Sequence, residues 1–213
     1  MMKVIYEVYR PFLVHFRRKR LKWMYATMGI TAASRVLDVG GDMFTWQLAA
    51  LENLPLPRLT ILNVLAPPPD LPPQVTWVIA DGAELPFADQ AFETVVSNSV
   101  VEHLSTWDRQ TCFAREVRRV GRRVFVQTPN RRFFVEPHLI TPFVHWTPKR
   151  VQRQLLRWCT IWGLIGRPTP AECDGFLSEV RLLTRGELQT LFPNLRVVGE
   201  KFCGWAKSLI AVG

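Results

Sequence analysis

Cysteine is scarce in this chain of 213 residues, and its four cysteines lie far apart in the sequence. No two of them form a C-x-x-C pair, which argues against a zinc knuckle and against the disulfide framework of a small secreted domain. No pair of His, Cys, Asp or Glu residues has the spacing of metal ligands either. We therefore expect a protein of the reducing cytoplasm that binds no metal.

Long apolar runs are missing as well. The first residues lack the apolar core of a signal peptide because Glu7 and Arg10 interrupt them. The longest uncharged apolar segment in the C-terminal half, residues 158–166, is far shorter than the roughly 20 residues that a membrane-spanning helix needs. We expect no segment that crosses a bilayer.

Acidic residues are fewer than basic ones. The chain has 18 Asp and Glu and 27 Lys and Arg, which gives a net charge of +9. A surface with this excess attracts polyanions such as nucleic acid, anionic lipid or a phosphorylated substrate. Basic clusters occur at residues 17–20, 118–123 and 131–132. A solvated basic face explains such clusters more simply than a dedicated binding patch does.

Short β-branched runs dominate the first 130 residues, and each ends at a small polar or acidic residue. The runs are 36–39, 59–62, 75–80, 95–96 and 124–127. Helix-length stretches separate several of them, which predicts an α/β fold with a parallel sheet wrapped by helices. Ligands of such sheets bind beyond the carboxyl ends of the strands, so this edge is predicted to hold a polar, nucleotide-like ligand.

The chain is expected to form one domain, because a hydrophobic content of 48% in 213 residues is enough for one sizeable core. Apolar residues at helical spacing between Pro11 and Gly29 predict a leading amphipathic helix. Prolines beyond residue 129 interrupt the alternation and predict an insertion over the ligand edge. The expected parts are a leading helix at 1–30, a core at 34–128, a helical lid at 129–183, and a closing helix and hairpin at 184–213.

Inside the predicted lid, Thr147 and Pro148 are a favourable N-cap and first residue for a helix. The apolar residues of that helix predict the stripe that it buries. They are Val151, Leu155, Trp158 and Trp162.

A first motif is the run from Arg35 to Gly41, which reads RVLDVGG and contains Asp38 and Gly40. Glycines at a strand-to-helix turn let backbone N–H groups approach a ligand closely. The run resembles motif I of class I S-adenosylmethionine-dependent methyltransferases. Dinucleotide-binding oxidoreductases share such a turn, although the third glycine that they use is missing here.

A second motif is more specific. Residues 81–89 read DGAELPFAD, and residues 92–104 read FETVVSNSVVEHL. This stretch resembles the pattern D-A-x-x-L-P-F-x-D-x-x-F-D-x-V, followed by S-x-x-x-x-E-H, of the type 11 methyltransferase family. The resemblance implies a Rossmann-like, doubly wound, mostly parallel seven-stranded sheet with an antiparallel last strand, and S-adenosyl-L-methionine as the cofactor.

The resemblance also implies roles for individual residues. Asp81 would accept a hydrogen bond from the adenine amino group, while Gly82 and Ala83 would present main chain to the ring. The main chain near Asn98 and Ser99 would face the methionine part of the cofactor.

Two features depart from the family pattern. Asp42 and Phe44 occupy positions where motif I has glycines, and Asn63 occupies the position of an acidic residue that accepts both ribose hydroxyls. An amide can accept from one hydroxyl and donate to the other, with weaker charge-assisted bonding. The predicted cofactor residues at the first two strands are therefore Asp38, Gly40, Gly41 and Asn63, and a weakened cofactor-binding module without turnover remains an alternative.

A general base is needed only when the methyl acceptor is a hydroxyl or a protonated amine. His103 and His138 are the catalytic candidates, and Glu102 or Glu136 could orient them. A histidine at a helix start that is bonded to backbone is the alternative explanation for His103.

The stretch from Asp81 to His103 and the predicted lid over the ligand edge favour a small molecule or a glycan as the acceptor. Residues 127–130 together with residues 136–138 resemble members of the family found in envelope-sugar gene neighbourhoods. An RNA-directed methyltransferase is an alternative that the positive charge would suit. Residues 12–28 could also rest on anionic lipid, which would place a cytoplasmic protein at the inner membrane surface.

Overall fold

A mixed sheet of seven strands forms the centre of the computed structural model, which describes residues 2–136, 139 and 141–213. The strands of this sheet are β1 Arg35–Val39, β2 Arg58–Asn63, β3 Thr76–Ile79, β4 Phe92–Asn98, β5 Gly121–Pro129, β8 Arg196–Phe202 and β9 Trp205–Val212. Strands β6 Val135–Glu136 and β7 Thr141–Pro142 form a separate antiparallel pair. The helices are α1 Met2–Met28, α2 Met43–Leu51, α3 Trp107–Val120, α4 Lys149–Trp158, α5 Ile161–Gly166, α6 Pro170–Glu179 and α7 Arg185–Leu191. Two 3-10 turns span Val101–His103 and Val144–Trp146.

The strand order is β3-β2-β1-β4-β5-β9-β8. Strands β1 to β5 are parallel to one another, whereas β9 is antiparallel to both β5 and β8. The fold class predicted from the sequence is thus confirmed. Because β1 lies between β2 and β4, the chain reverses its direction of travel across the sheet at this strand, and ligands of open α/β sheets bind at such a point.

Each face of the sheet carries its own core. On one face, α3 and α7 bury side chains that include Phe113, Val117 and Phe192. On the other face, α1 and α2 bury Leu21 and Trp46, among others. Burial on both faces explains why the central strands are nearly continuous apolar runs, and it confirms the wrapping by helices.

Helix α1 is longer than the sequence predicts. It begins at Met2, so Pro11 lies in its interior and does not open it, while its end at Met28 before Gly29 agrees with the prediction. Gly29 has a φ of 60°, the left-handed conformation that commonly terminates helices. A proline removes one backbone hydrogen bond but need not end a helix whose later turns are held by tertiary packing, as Leu21 and Met24 are here.

The segment that follows β5 holds β6, β7, α4, α5 and α6 and forms a small core of its own. The predicted apolar stripe is wrong in phase, because Leu156 is the fully buried residue of α4 while Val151 and Trp158 are 41% and 67% exposed. The helix packs against α5, α6 and the second 3-10 turn, and not against the sheet. Its N-cap is Pro148, one residue later than predicted.

In the part of the chain that the structure describes, every helix is too short or too polar to cross a membrane. The apolar side of the second half of α1 covers the sheet. Contact of this helix with lipid therefore stays a prediction, as does the division of the chain into four parts.

Candidate active site

Polar side chains gather at the carboxyl edge of four adjacent strands. Asp38 lies near the end of β1, Asn63 ends β2 and Asn98 ends β4. Asp81 follows β3 by two residues. The order of the strands places them in the order 81, 63, 38, 98 across the sheet.

The turn after β1 depends on its glycines. Gly40 has a φ of 73°, and a Cβ atom there would lie 2.6 Å from Cγ2 of Val100. A Cβ atom on Gly41 would overlap the carboxylate of Asp38. The backbone N–H of Gly40 donates to the carbonyl of Leu62 at 2.6 Å. The glycines therefore let the turn pack directly between β2, the Asp38 side chain and the segment after β4.

The missing glycine at position 42 is explained by helix capping. Asp42 is the N-cap of α2, and its Oδ1 accepts from the backbone N–H of Phe44 at 3.1 Å. Its φ of −138° is ordinary extended backbone, so this position needs no glycine. A capping carboxylate thus ends the loop where the family pattern continues with flexible residues.

Asp38 is almost completely buried, and its Oδ2 accepts from Nε1 of Trp46 at 2.9 Å. Burial raises the pKa of Asp38 to about 7, because the Trp46 hydrogen bond offsets only part of the desolvation and Asp42 adds a like charge. A carboxyl group with such a pKa gains strongly from a nearby cation, which would favour its ionised form.

Asn63 uses both ends of its amide within the protein. Its Nδ2 donates to the carbonyl of Gly41 at 2.8 Å, and its Oδ1 accepts from the backbone N–H of Leu65 at 3.0 Å. The side chain thereby ties the end of β2 to the glycine turn after β1.

Asp81 accepts from the backbone N–H of Ala83 at 2.8 Å and forms an ion pair with Arg109 of α3. These two interactions lower the pKa of Asp81, the hydrogen bond from Ala83 more than the pair with Arg109. The side chain is 43% exposed. Gly82 lies against Val39, where a Cβ atom would come within 3.0 Å of Cγ1. This end of the site therefore has an ionised, accessible carboxylate at Asp81 and no side chain at the next residue, Gly82.

The rest of the second motif holds the loop after β3 in place. Glu116 of α3 accepts from the backbone N–H of Leu85 at 3.1 Å. Arg119 donates to the carbonyl of Phe87 at 2.7 Å and to Asp89 at 2.8 Å. The acidic residue at position 89 is thus bonded to α3, which explains why the pattern contains it.

At the end of β4, Asn98 Oδ1 accepts a hydrogen bond from Arg20 of α1. Ser99 has a φ of 59°, and its hydroxyl donates to Oε1 of Gln127 at 3.0 Å. Arg20 also donates to that Oε1 atom, at 2.8 Å. The leading helix therefore reaches the predicted methionine side of the site.

Arg20 belongs to a largely buried ionic cluster that the sequence analysis does not identify. Its Nη2 lies 2.8 Å from Oε2 of Glu200, and Lys207 Nζ lies 2.6 Å from the same oxygen. Burial alone would raise the pKa of Glu200, but the charges of Arg20 and Lys207 outweigh it and lower this pKa to about 2. The cluster joins α1 to the closing hairpin.

Of the two histidines that are candidates for the general base, His103 lies within the described residues. His103 ends the first 3-10 turn with an exposed side chain, and its backbone N–H donates to the carbonyl of Val100 at 2.9 Å. His138 and the side chain of Glu136 lie outside the described residues. Glu102 is completely buried, and its Oε2 accepts from the hydroxyl of Thr128 at 3.0 Å. Its carboxylate therefore lies between the ends of β4 and β5.

A cavity of about 540 Å³ opens beside residues 105–107, which follow the first 3-10 turn. Its walls come from residues 105–107 at the start of α3, residues 144–149 around the second 3-10 turn, and residues 176–182 after and within α6. The segment after β5 thus forms a large part of the cavity wall, and a lid over the carboxyl edge stays a prediction. The volume lies in the range of small-molecule sites.

An adenosyl sulfonium fits the residues at this edge. The accessible carboxylate of Asp81 suits an amine donor, and the turn at Gly40 and Gly41 adds no side chain of its own to the edge. Asn63 is the exception, because its amide is already bonded to Gly41 and Leu65. Among the described residues, no group of three His, Cys, Asp or Glu side chains could hold a metal ion.

Comparison with known families and structures gives a consistent result. The family model Methyltransf_11, described as a methyltransferase domain, matches residues 58–123. No curated protein sequence matches the chain. Solved structures share the fold at low sequence identity.

Three of these structures are informative. One is the 1,6-didemethyltoxoflavin-N1-methyltransferase of Burkholderia thailandensis, solved with 1,6-didemethyltoxoflavin and S-adenosylhomocysteine; it has 16% identity and a TM-score of 0.55, and the match covers 92% of this chain and 76% of that one. The N-methyltransferase NodS of Bradyrhizobium japonicum has 14% identity and a TM-score of 0.52, with 92% and 94% covered. A protein of Anabaena variabilis, described as a methyltransferase from an antibiotic biosynthesis pathway, has 15% identity and a TM-score of 0.54, with 86% of this chain and 64% of that chain covered.

Proposed function

We propose that the chain, whose residues 58–123 match the methyltransferase domain model, is a class I S-adenosylmethionine-dependent methyltransferase of the type 11 family and that it methylates a small-molecule or sugar acceptor. The observation that carries this proposal is the alignment of Asp81, Asn63, Asp38 and Asn98 along one edge of four adjacent parallel strands. S-adenosylmethionine, when bound, supplies an electrophilic methyl group on a sulfonium.

The proposed roles follow the position of each residue along that edge. Asp81 accepts from the adenine amino group, and Gly82 and Ala83 present main chain to the ring. Asn63 meets the ribose hydroxyls. The turn at Gly40 and Gly41, with Asp38, Asn98 and Ser99, holds the methionine part.

The acceptor side of the proposed site is the cavity lined by residues 105–107 and 144–149. Alignment of the acceptor atom and exclusion of water are the main contributions that a protein makes to methyl transfer. His103 is the proposed general base for a hydroxyl or protonated amine acceptor, and His138 is the second candidate. The neighbour from Burkholderia, which was solved with 1,6-didemethyltoxoflavin, supports a small-molecule acceptor.

Isothermal titration with S-adenosylhomocysteine tests the cofactor site directly. We expect saturable binding by the wild-type protein and affinity weakened about tenfold or more in Asp81→Asn, because a charge-assisted hydrogen bond becomes a neutral one. Asp70→Asn, at an exposed position in the loop before β3, is the matched control and should bind like the wild type. Absence of binding at millimolar ligand would refute the proposal.

A weakened cofactor-binding module is the second candidate function. It is favoured by one observation, namely that the amides of Asn63 and Asn98 are already bonded to partners inside the protein. Radiolabelled S-adenosylmethionine, offered with small-molecule and RNA fractions of a cell extract, separates the candidates. Label in the small-molecule fraction supports the first proposal, label in RNA supports an RNA-directed enzyme, and cofactor binding without transfer supports the module.

A further inference from the structure

Basic residues but no acidic ones line the cavity that opens beside residues 105–107. Arg131, Lys149 and Arg181 contribute to its walls, and none of the described lining residues is Asp or Glu. Trp107 and Trp146 line it as well. A concave site with positive charge and aromatic surface attracts a ligand that combines an anionic group with a ring.

Arg131 is positioned by its main chain. Its backbone N–H donates to the carbonyl of Leu183 at 2.9 Å, and its carbonyl accepts from Nε1 of Trp146 at 2.9 Å and lies 3.0 Å from Nε2 of His145. Among the described residues, the guanidinium of Arg131 has no hydrogen-bond acceptor. The main chain therefore holds Arg131 in place at the cavity wall, and the five N–H donors of its guanidinium have no described acceptor.

Arg181 and Lys149, the other two cations of the cavity wall, have different partners. Arg181 donates to Gln110 and Glu187, and its guanidinium carbon lies 5.0 Å from the centroid of the Trp107 ring, so it holds that ring in place. Lys149 donates once, from Nζ to the carbonyl of Leu177 at 2.9 Å, and an ammonium group has three donors. Arg131 and Lys149 therefore have donors left for a ligand, whereas Arg181 is a positioning residue.

We infer that this cavity is the acceptor site and that it selects an anionic acceptor, whose phosphate or carboxylate binds Arg131 and Lys149 while its ring lies against Trp107 or Trp146. The inference rests on the proposed function, since it names the class of molecule that would be methylated. Arg–phosphate and Arg–carboxylate pairs are bidentate, which gives geometric specificity as well as affinity.

Three probes of similar size test the inference: p-nitrophenyl phosphate, p-nitrobenzoate and the uncharged p-nitrophenyl glucoside. Each is titrated into the full-length protein by calorimetry, without the cofactor. We expect the phosphate or the benzoate to bind at least about tenfold more tightly than the glucoside, and the stronger of the two identifies the preferred anion.

Matched variants locate the binding. Arg131→Gln and Lys149→Gln should each weaken binding of the preferred anion about tenfold. Arg132→Gln and Arg150→Gln remove the same charge from the adjacent exposed residues, which do not line the cavity, and should leave the affinity within about twofold. Equal losses in all four variants would mean non-specific attraction to a basic surface and would overturn the inference.

A separate titration with S-adenosylhomocysteine keeps the two proposals distinguishable. Cofactor binding together with equal affinity for all three probes would overturn the anionic acceptor and leave the methyltransferase proposal intact. Anion binding at Arg131 and Lys149 in a protein that does not bind the cofactor would support the charged site and refute the proposed reaction.

Discussion

Asn63 donates a hydrogen bond from Nδ2 to the main-chain oxygen of Gly41, at 2.8 Å, and so connects the carboxyl ends of β2 and β1. The family pattern has an acidic residue at this position, which could accept but not donate. Where the family pattern has a carboxylate that binds the ribose, this chain therefore has an amide that links β2 to β1 across the predicted ribose site.

Replacing Asn63 with aspartate should separate these two effects. Asn63→Asp loses the donor to Gly41 and should lower the free energy of unfolding by about 1 kcal/mol. It should also bind S-adenosylhomocysteine more tightly, because a carboxylate accepts from both ribose hydroxyls. Urea denaturation and calorimetry measure the two quantities, and Asn194→Asp, at an exposed turn, controls for the added charge. Weaker binding in Asn63→Asp would contradict the assigned role.

The glycine turn allows a second prediction. Gly41→Ala places a Cβ atom on the Asp38 carboxylate and should destabilise the protein by about 1–3 kcal/mol through overpacking. Gly186→Ala is the matched control, because nothing lies within 4 Å of a Cβ atom there and the residue is inside α7, where alanine should stabilise by about 0.5–1 kcal/mol. Thermal unfolding of both variants checks the prediction; equal effects would mean that the turn tolerates side chains.

The buried ionic cluster predicts a pH-dependent contribution to stability. The pKa of Glu200 is about 2 in the folded protein and 4.5 in its ordinary state, so the stability that it adds is present above pH 4.5 and is lost as the pH falls towards 2. Glu200→Gln leaves Arg20 and Lys207 without their counter-charge and should cost about 3 kcal/mol at pH 7.

Urea denaturation of Glu200→Gln between pH 2.5 and pH 7 is the measurement. The deficit relative to wild type should shrink as the pH falls, because the wild-type carboxylate is then protonated too. Glu93→Gln, which removes a half-exposed carboxylate 3.9 Å from Arg35, should cost well under 1 kcal/mol at every pH. A deficit for Glu200→Gln that stays constant with pH would show that charge is not its cause.

Asp38 should give the opposite slope in a different pH range. Its pKa is raised from 3.8 to about 7, so the unfolded chain ionises first and the stability from the protonated, buried form is lost as the pH rises from about 4 to about 7. Asp38→Asn cannot ionise and should gain on the wild type by up to about 1.4 kcal/mol per pH unit in that range. Chemical denaturation of both proteins at pH 5, 6, 7 and 8 checks this. Parallel stability curves would exclude the shift.

The parallel core was predictable because its signals are local. The strand runs ending at Asp38, Asn63 and Asn98 are β-branched, and the buried stripe of α3 repeats with helical period. The closing hairpin was predictable for the same reason. A sequence shows such patterns directly, and the strand order then follows from the resemblance to a known family.

The start of α1 and the packing of the lid were not predictable in this way. Pro11 is a helix-start signal that long-range packing overrides. In α4 the buried residue is Leu156, because this helix packs against other short helices, whose positions no local pattern reveals. Propensity and periodicity describe a helix and its surface but not its neighbours.

The positions of the candidate site residues at the sheet edge were predictable, but their bonding partners were not. Asp81 and Gly41 follow from the motifs, whereas the pair between Arg20 and Glu200 joins residues that are 180 positions apart. Arg131 appears in the sequence only as part of a basic cluster. Its distinction comes from main-chain bonds to Leu183 and Trp146, which only the folded chain shows.

Helix α3 gives the two halves of the proposed site a common wall. Arg109 touches Asp81, while Trp107, two residues earlier, lines the cavity on the other side. Side chains two residues apart on an α-helix point about 200° away from each other, so Trp107 and Arg109 face opposite sides of α3. An inhibitor that bridges both halves would therefore need a linker that passes around a helix about 10 Å wide, and the helix would keep the distance between its two ends constant.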